Sequence, residues 1–291
     1  MGERPAIDSR DYIVAFGLRS INDCPPDFDL PDSLAGFDTG LFLPRGDRDW
    51  FGRPLYPPRV LLLKSGTLHI VSHPGAAEPP FQCAMERISS VESGQMLLKG
   101  WLRFSGSGFD YTVRYNTRGF RAVFRFMRSF RDKLLRDALP DGTSSVRLGA
   151  GLDIKFTNAL ARELDSGETI ATQFFQPAKE VKSRWWLDPR RRWMAGDLLA
   201  LTGKRLLWIT DRERGSYSRY GSVASYAPLG AVRTIDLASA GGGRVLRIDP
   251  SPSPPWVVPL APGFERVAGE FAAALEIRRR RNEASRTEEP R

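Results

Sequence analysis

The segment Asp197–Thr210, DLLALTGKRLLWIT, decides how the chain is read. Two apolar runs flank Thr-Gly-Lys-Arg, which is the pattern of a β-hairpin. Upstream, Val60–Ser72, VLLLKSGTLHIVS, reads the same way around Ser65-Gly66. Leu63, Leu68, Ile70 and Ser72 match Leu201, Leu206, Trp208 and Thr210 at one constant offset. Further out, Ile88, Val91, Leu102, Phe104, Val113, Gly119, Phe120 and Val123 match Val232, Ile235, Leu246, Ile248, Val257, Gly263, Phe264 and Val267 at a second constant offset. One longer loop between Thr210 and Leu229 accounts for the difference. Composition alone does not hold a register through two strand patterns, a turn and a helix start. The pattern therefore predicts a tandem duplication.

Around the first hairpin, Phe81–Val91, Gln95–Phe104 and Asp110–Asn116 read as strands, the last two separated by Ser105-Gly106-Ser107-Gly108. The period then changes. Phe120, Val123, Met127, Phe130 and Leu134 recur at helical spacing, so they predict the apolar face of a helix reaching about residue 138. In the second half, a short helix over Lys155–Leu164 precedes strands at Thr169–Gln176, Lys179–Leu187 and Trp193–Leu201. Gly230–Leu237, Arg244–Ile248 and Trp256–Leu260 follow. Phe264, Val267, Phe271, Ala274 and Leu275 then mark a second amphipathic helix.

Each half thus predicts many short strands and one closing helix, a mainly β (α+β) fold. This grammar resembles the pleckstrin-homology (PH) fold, and the second half resembles bacterial PH-like and GRAM-like domains. The residues that carry it are Gly167-Glu168 before the first strand, then Asp197–Thr210 with Arg205-Leu206 after its turn. The first half retains the stretch more loosely at Leu61–Ser72, with Thr67-Leu68 in place of Arg-Leu. The likeness covers residues 160–276 more closely than 40–138. It implies two partly open β-barrels or sandwiches in tandem, each closed by a C-terminal amphipathic helix, and a binding or scaffolding role. The expected divisions are an N-terminal arm (1–30), a first PH-like domain (31–139), a linker (140–153), a second PH-like domain (154–278) and a basic, disordered tail (279–291).

A chain of 291 residues that is 41% hydrophobic can bury a core in each half. The longest apolar runs are too short to span a bilayer, and the first residues lack an apolar leader. With Cys24 and Cys83 read as isolated thiols, the chain is expected to be cytoplasmic, with peripheral contact at the inner face of the membrane as a further option, and the resemblance implies a bacterial protein. The net charge of +9 favours anionic partners.

Catalytic signatures are weak. His69 and His73 are the only histidines, with no third ligand nearby, so no metal, cofactor or catalytic residue is assigned. Ala240-Gly241-Gly242-Gly243 lacks the context of a phosphate loop. The acidic pairs Asp211 with Glu213, and Asp27 with Asp29, read as solvated turn residues.

Two basic features remain. The first is the expected hairpin KEVKSRWWLDPRRRW, which gathers Lys179, Lys182, Arg184, Arg190, Arg191 and Arg192 with Trp185, Trp186 and Trp193. Arginine offers forked donors to phosphate, and Trp favours the water–lipid boundary. In the PH family the first strand pair carries phosphoinositide-binding residues, so the resemblance implies an anion or membrane role here. The bland alternative is Trp in the core and Arg at a turn. The second feature is the face Arg118, Arg121, Arg125 and Arg128 on the predicted helix, opposite its apolar face. The sequence therefore predicts a non-enzymatic scaffold that binds a protein partner. The alternative is a peripheral module binding anionic lipid through Lys179–Trp193, and nucleic acid is the less favoured partner. Oligomeric state is left open.

Overall fold

A computed structural model describes residues 12–46, 55–135, 152–165, 167–181, 192–213, 216–217, 221–240 and 243–287. The fold is mainly β. In the first half, β1 (Phe16–Leu18), β2 (Thr39–Leu43), β3 (Arg59–Lys64), β4 (Thr67–Ser72) and β5 (Phe81–Ala84) form an antiparallel sheet in sequence order. Ser65 and Gly66 both have positive φ, 47° and 75°, between the paired residues Lys64 and Thr67. Such a two-residue turn matches the twist of the strands it joins. A 3-10 turn, Met85–Arg87, leads into β6 (Ile88–Met96), β7 (Lys99–Gly106) and β8 (Phe109–Asn116), then α1 (Phe120–Leu134).

The second half opens with α2 (Ile154–Glu163), capped where Asp153 accepts the Lys155 N–H at 2.9 Å. Then come β9 (Ile170–Gln176), β10 (Lys179–Val181), β11 (Arg192–Met194), β12 (Asp197–Thr202), β13 (Arg205–Thr210), β14 (Arg212–Glu213), β15 (Ser216–Tyr217) and β16 (Gly221–Pro228). A 3-10 turn, Leu229–Ala231, precedes β17 (Val232–Ala240), β18 (Gly243–Pro250) and β19 (Trp256–Pro259). The last element, α3, runs over Glu265–Thr287, so that residues up to 287 of the expected disordered tail (279–291) are helical. The order hairpin, strand, 3-10 turn, three-stranded meander, helix therefore occurs in both halves.

Two compact units are present. One comprises Met1–Ile88, Leu97–Trp101 and Thr112–Arg136; the other comprises Ser89–Met96, Leu102–Tyr111 and Asp137–Arg291. In the first, α1 packs on β1 and β2. Its buried side chains are Val123, Phe126, Met127, Phe130 and Arg131. Burial of each large apolar one contributes roughly 1.5–3 kcal/mol. Phe42, Val60 and Leu62 anchor a core with Phe28, Leu34 and Phe37.

In the second unit, β6 pairs antiparallel with β16, from Val91 opposite Tyr226 to Met96 opposite Gly221. The resulting sheet has the order β8-β7-β6-β16-β13-β12-β9. The three strands β17-β18-β19 form a separate sheet against which α3 packs. Phe271, Leu275 and Ala268 of α3 join Leu246, Ile248 and Val258 in its core. Among the described residues, no sheet closes into a barrel and β17 has no strand on its outer edge.

Several expectations change. The strand expected over Phe81–Val91 is interrupted by the 3-10 turn Met85–Arg87, and the one over Trp193–Leu201 divides at Ala195-Gly196 into β11 and β12. Phe120, assigned to the buried face of α1, is 45% exposed, and Phe126 fills that face instead. The expected strand Gln95–Phe104 is broken at Leu97-Leu98, where a turn joins β6 to β7.

Candidate anion-binding surface

Gly119 sets the geometry at the start of α1. Its φ is +81°, and a Cβ there would lie 2.6 Å from the Ala15 carbonyl oxygen and 2.8 Å from Val14 Cγ1. Only glycine meets both demands without strain. Gly263, at the matching point before α3, has φ +92°. The backbone requirement explains why the glycine recurs before both helices.

Arg121, Arg125 and Arg128 lie on one exposed face of α1; Arg118, expected on the same helix, precedes it by two residues and is exposed as well. None forms an ion pair with a carboxylate among the described residues. Asp132 is exposed on the same face, so the local excess is smaller than four charges. Lys133, by contrast, is tied to Asp38 of the segment before β2. The arginine face predicted by sequence is thus present and uncommitted among the described residues.

The same corner holds residues that the sequence reading missed. Thr117 donates its N–H to the Leu98 carbonyl at 3.0 Å and its hydroxyl to the Leu97 carbonyl at 2.7 Å. The Ala15 N–H reaches the Arg118 carbonyl at 3.5 Å. Three segments distant in sequence are thereby held together: Ile13–Ala15, Leu97–Lys99 and Thr117–Arg121. The exposed large apolar residues Ile13, Val14, Leu97, Leu98 and Phe120 lie on these segments. So do the exposed cations Lys99, Arg118 and Arg121.

The other predicted site is only partly described. Lys179 is exposed on β10, which pairs with β11 from Lys179 opposite Met194 to Val181 opposite Arg192. Arg192 and Trp193 lie in β11. Lys182, Arg184, Trp185, Trp186, Arg190 and Arg191 lie outside the described residues.

Several buried polar groups elsewhere hold the fold together. Arg205 is fully buried and grips both carboxylate oxygens of Glu168, with Nε to Oε1 at 2.9 Å; Nη2 also donates to the Glu163 carbonyl at 2.6 Å. Burial alone would raise the Glu168 carboxyl, but the Arg205 charge and hydrogen bonds hold it below its ordinary value. Asp197 accepts from Gln176 Nε2 and from Trp208 Nε1, each at 2.9 Å, and burial pushes its carboxyl up. Gln176 in turn reaches the Pro259 carbonyl at 2.6 Å and takes the Ala261 N–H at 3.1 Å.

Asp211, expected in a solvated turn, is buried. Its Oδ1 accepts the Gly196 N–H at 2.7 Å and its Oδ2 lies 3.5 Å from Lys155 Nζ. Burial raises this carboxyl too. These carboxylates join strands; their oxygens face structural donors.

His73 uses both ring nitrogens: Nδ1 accepts the Gly75 N–H at 3.0 Å and Nε2 lies 3.1 Å from Asp27. The Cys24 thiol is pushed up to about 12, chiefly by burial and also by Asp27. Burial raises the Cys83 thiol as well. Such thiols carry little thiolate at neutral pH. Among the described residues, no three His, Cys, Asp or Glu side chains converge as a metal site, and no helix is long and apolar enough to cross a membrane. Comparison with protein-family models and with curated proteins finds no match.

Proposed function

We propose that the chain is a non-enzymatic binding protein of two PH-like domains in tandem, and that its partner is anionic. The arginines at α1 carry the reading: Arg118 just before the helix and Arg121, Arg125 and Arg128 on it are exposed, without carboxylate partners among the described residues. Guanidinium forks match phosphate and carboxylate oxygens, and unpaired surface cations bind where the partner supplies the counter-charge. The tandem PH-like assignment is supported by the recurring element order and by the meeting of Glu168 with Arg205. Those are two of the residues that carry the resemblance. Residence in the cytoplasm, with recruitment to an anionic surface, fits this use.

The test is binding of the full chain to phosphatidylserine vesicles and to poly-glutamate over a range of salt concentrations. The reading expects affinity for at least one that falls as salt rises, and a quadruple Arg118/Arg121/Arg125/Arg128→Ser variant that loses it. Binding unchanged by the four substitutions contradicts it.

A second reading rests on β17. Its counterpart β6 takes β16 along its outer edge, whereas the outer edge of β17 has no strand among the described residues. An extended segment of a protein partner could add there by antiparallel pairing. Amide exchange along β17 as slow as along β6 in the isolated chain would refute an open edge.

A further inference from the structure

Leu97 occupies a costly position. It sits at the β6–β7 turn with φ +51°, a left-handed conformation that glycine adopts freely and other residues adopt at a cost of about 1 kcal/mol or more. It is also 69% exposed, and Leu98 beside it is 53% exposed. At the aligned positions of the second half, the sequence has Gly241-Gly242, whereas the first half carries two leucines.

Phe120 shows the same departure. Its counterpart Phe264 packs against the core of the second unit, with its ring 6.3 Å from that of Phe174. Phe120 is instead 45% exposed. Ile13 and Val14, 63% and 44% exposed, are brought to the same corner by the close approach at Gly119. Scattered exposed apolar residues are ordinary, but five of them on three segments tied by hydrogen bonds, beside Lys99, Arg118 and Arg121, are not.

We infer that this corner inserts into an anionic lipid bilayer, with Leu97, Leu98 and Phe120 entering the headgroup–acyl boundary while Lys99 and the α1 arginines bind acidic headgroups. The inference deepens the anionic-partner reading and rests on it. Charge complementarity alone would suit an acidic protein equally well. The exposed aliphatic tip selects the bilayer, because a membrane interface takes up apolar side chains and cations together. A basic face without the leucines would leave binding fully salt-sensitive. A face with them retains an apolar component at high salt.

The test uses the full chain with vesicles of equimolar phosphatidylcholine and phosphatidylserine, pure phosphatidylcholine vesicles, and poly-glutamate. Leu97→Ser/Leu98→Ser is expected to weaken binding to the mixed vesicles by about tenfold per leucine. Its binding to poly-glutamate should stay at the level of the native chain. An environment-sensitive fluorophore at Leu98→Cys, in a Cys24→Ser/Cys83→Ala background, should shift to shorter wavelength only with the mixed vesicles. A urea midpoint no lower than that of the native chain shows that the serine variant is folded. If the serine variant binds mixed vesicles like the native chain while the quadruple Arg→Ser variant loses them, insertion is wrong and the anionic reading survives. If neither variant changes binding, both are wrong. If poly-glutamate binding falls as much as vesicle binding, the partner is an acidic protein and the bilayer inference fails.

Discussion

Glu168→Gln removes one charge from a pair that the fold encloses. The side chain of Arg205 is 0% exposed and that of Glu168 is 5% exposed. In the native chain, two guanidinium donors meet two carboxylate oxygens, and Asp165 approaches the same guanidinium only at 3.4 Å. Glutamine keeps the shape and one acceptor but presents an amide N–H₂ to a donor. A buried cation is then left with incomplete compensation. Breaking a buried pair from one side costs about 3–5 kcal/mol, which is a large share of the ~5–15 kcal/mol that stabilises a domain. Replacing both partners, as in Glu168→Leu/Arg205→Met, removes the stranded charge and should cost less than the single substitution. Urea unfolding followed by far-ultraviolet circular dichroism and Trp fluorescence measures both variants. The pair also predicts acid behaviour. Glu168 titrates below its ordinary value when folded, so its contribution is present at neutral pH and is lost as pH falls through the folded value. The Gln variant should lack that acid-side loss. A single-variant cost under about 1 kcal/mol, or a double variant worse than the single, would refute the reasoning.

Asp197→Asn should cost about 1–3 kcal/mol, because Gln176 and Trp208 both donate to this side chain and asparagine offers a single acceptor. Since burial raises Asp197 when folded, its charge penalises stability at neutral pH, and the penalty is relieved as pH falls through the raised value. A pH–stability profile identical to the native one would count against this. Gly221→Ala places a Cβ 2.3 Å from the Gln95 carbonyl and 2.1 Å from Met96 Sδ. It should destabilise the second unit by about 1–3 kcal/mol and speed amide exchange along β6; unchanged exchange would mean that β6 and β16 do not pair. Cys24 should react with iodoacetamide at neutral pH ~100-fold or more slowly than a free thiol, until urea exposes it; rapid native alkylation would contradict its burial.

The elements with a strong period were readable from sequence, and those that depend on contacts at a distance were not. The hairpins around Ser65-Gly66 and Gly203-Lys204, and the helices after Gly119 and Gly263, follow from alternation, turn residues and helical spacing. The β6–β7 turn was hidden because Leu97-Leu98 reads as strand interior, and nothing local announces a leucine at positive φ. Phe120 was misplaced because periodicity assigns a face but not whether another element covers all of it. Asp211 looked like a turn residue because its partners Gly196 and Lys155 are supplied by other elements. Arg121, Arg125 and Arg128 of α1 were legible as a stripe. The apolar corner beside them depends on the docking of Ile13–Ala15 and the anchoring of the Leu97-Leu98 turn by Thr117, which no local pattern shows.

The central claim is that the exposed face of α1 engages an anionic surface. Its most direct test is cosedimentation of the full chain with equimolar phosphatidylcholine–phosphatidylserine vesicles, comparing the native protein with the quadruple Arg118/Arg121/Arg125/Arg128→Ser variant at low salt. With each arginine contributing about 0.5 kcal/mol, half of the most that a cation gains at an acidic bilayer, the variant should bind ~30-fold more weakly while unfolding at an unchanged urea midpoint. Equal binding by the two proteins would contradict the account.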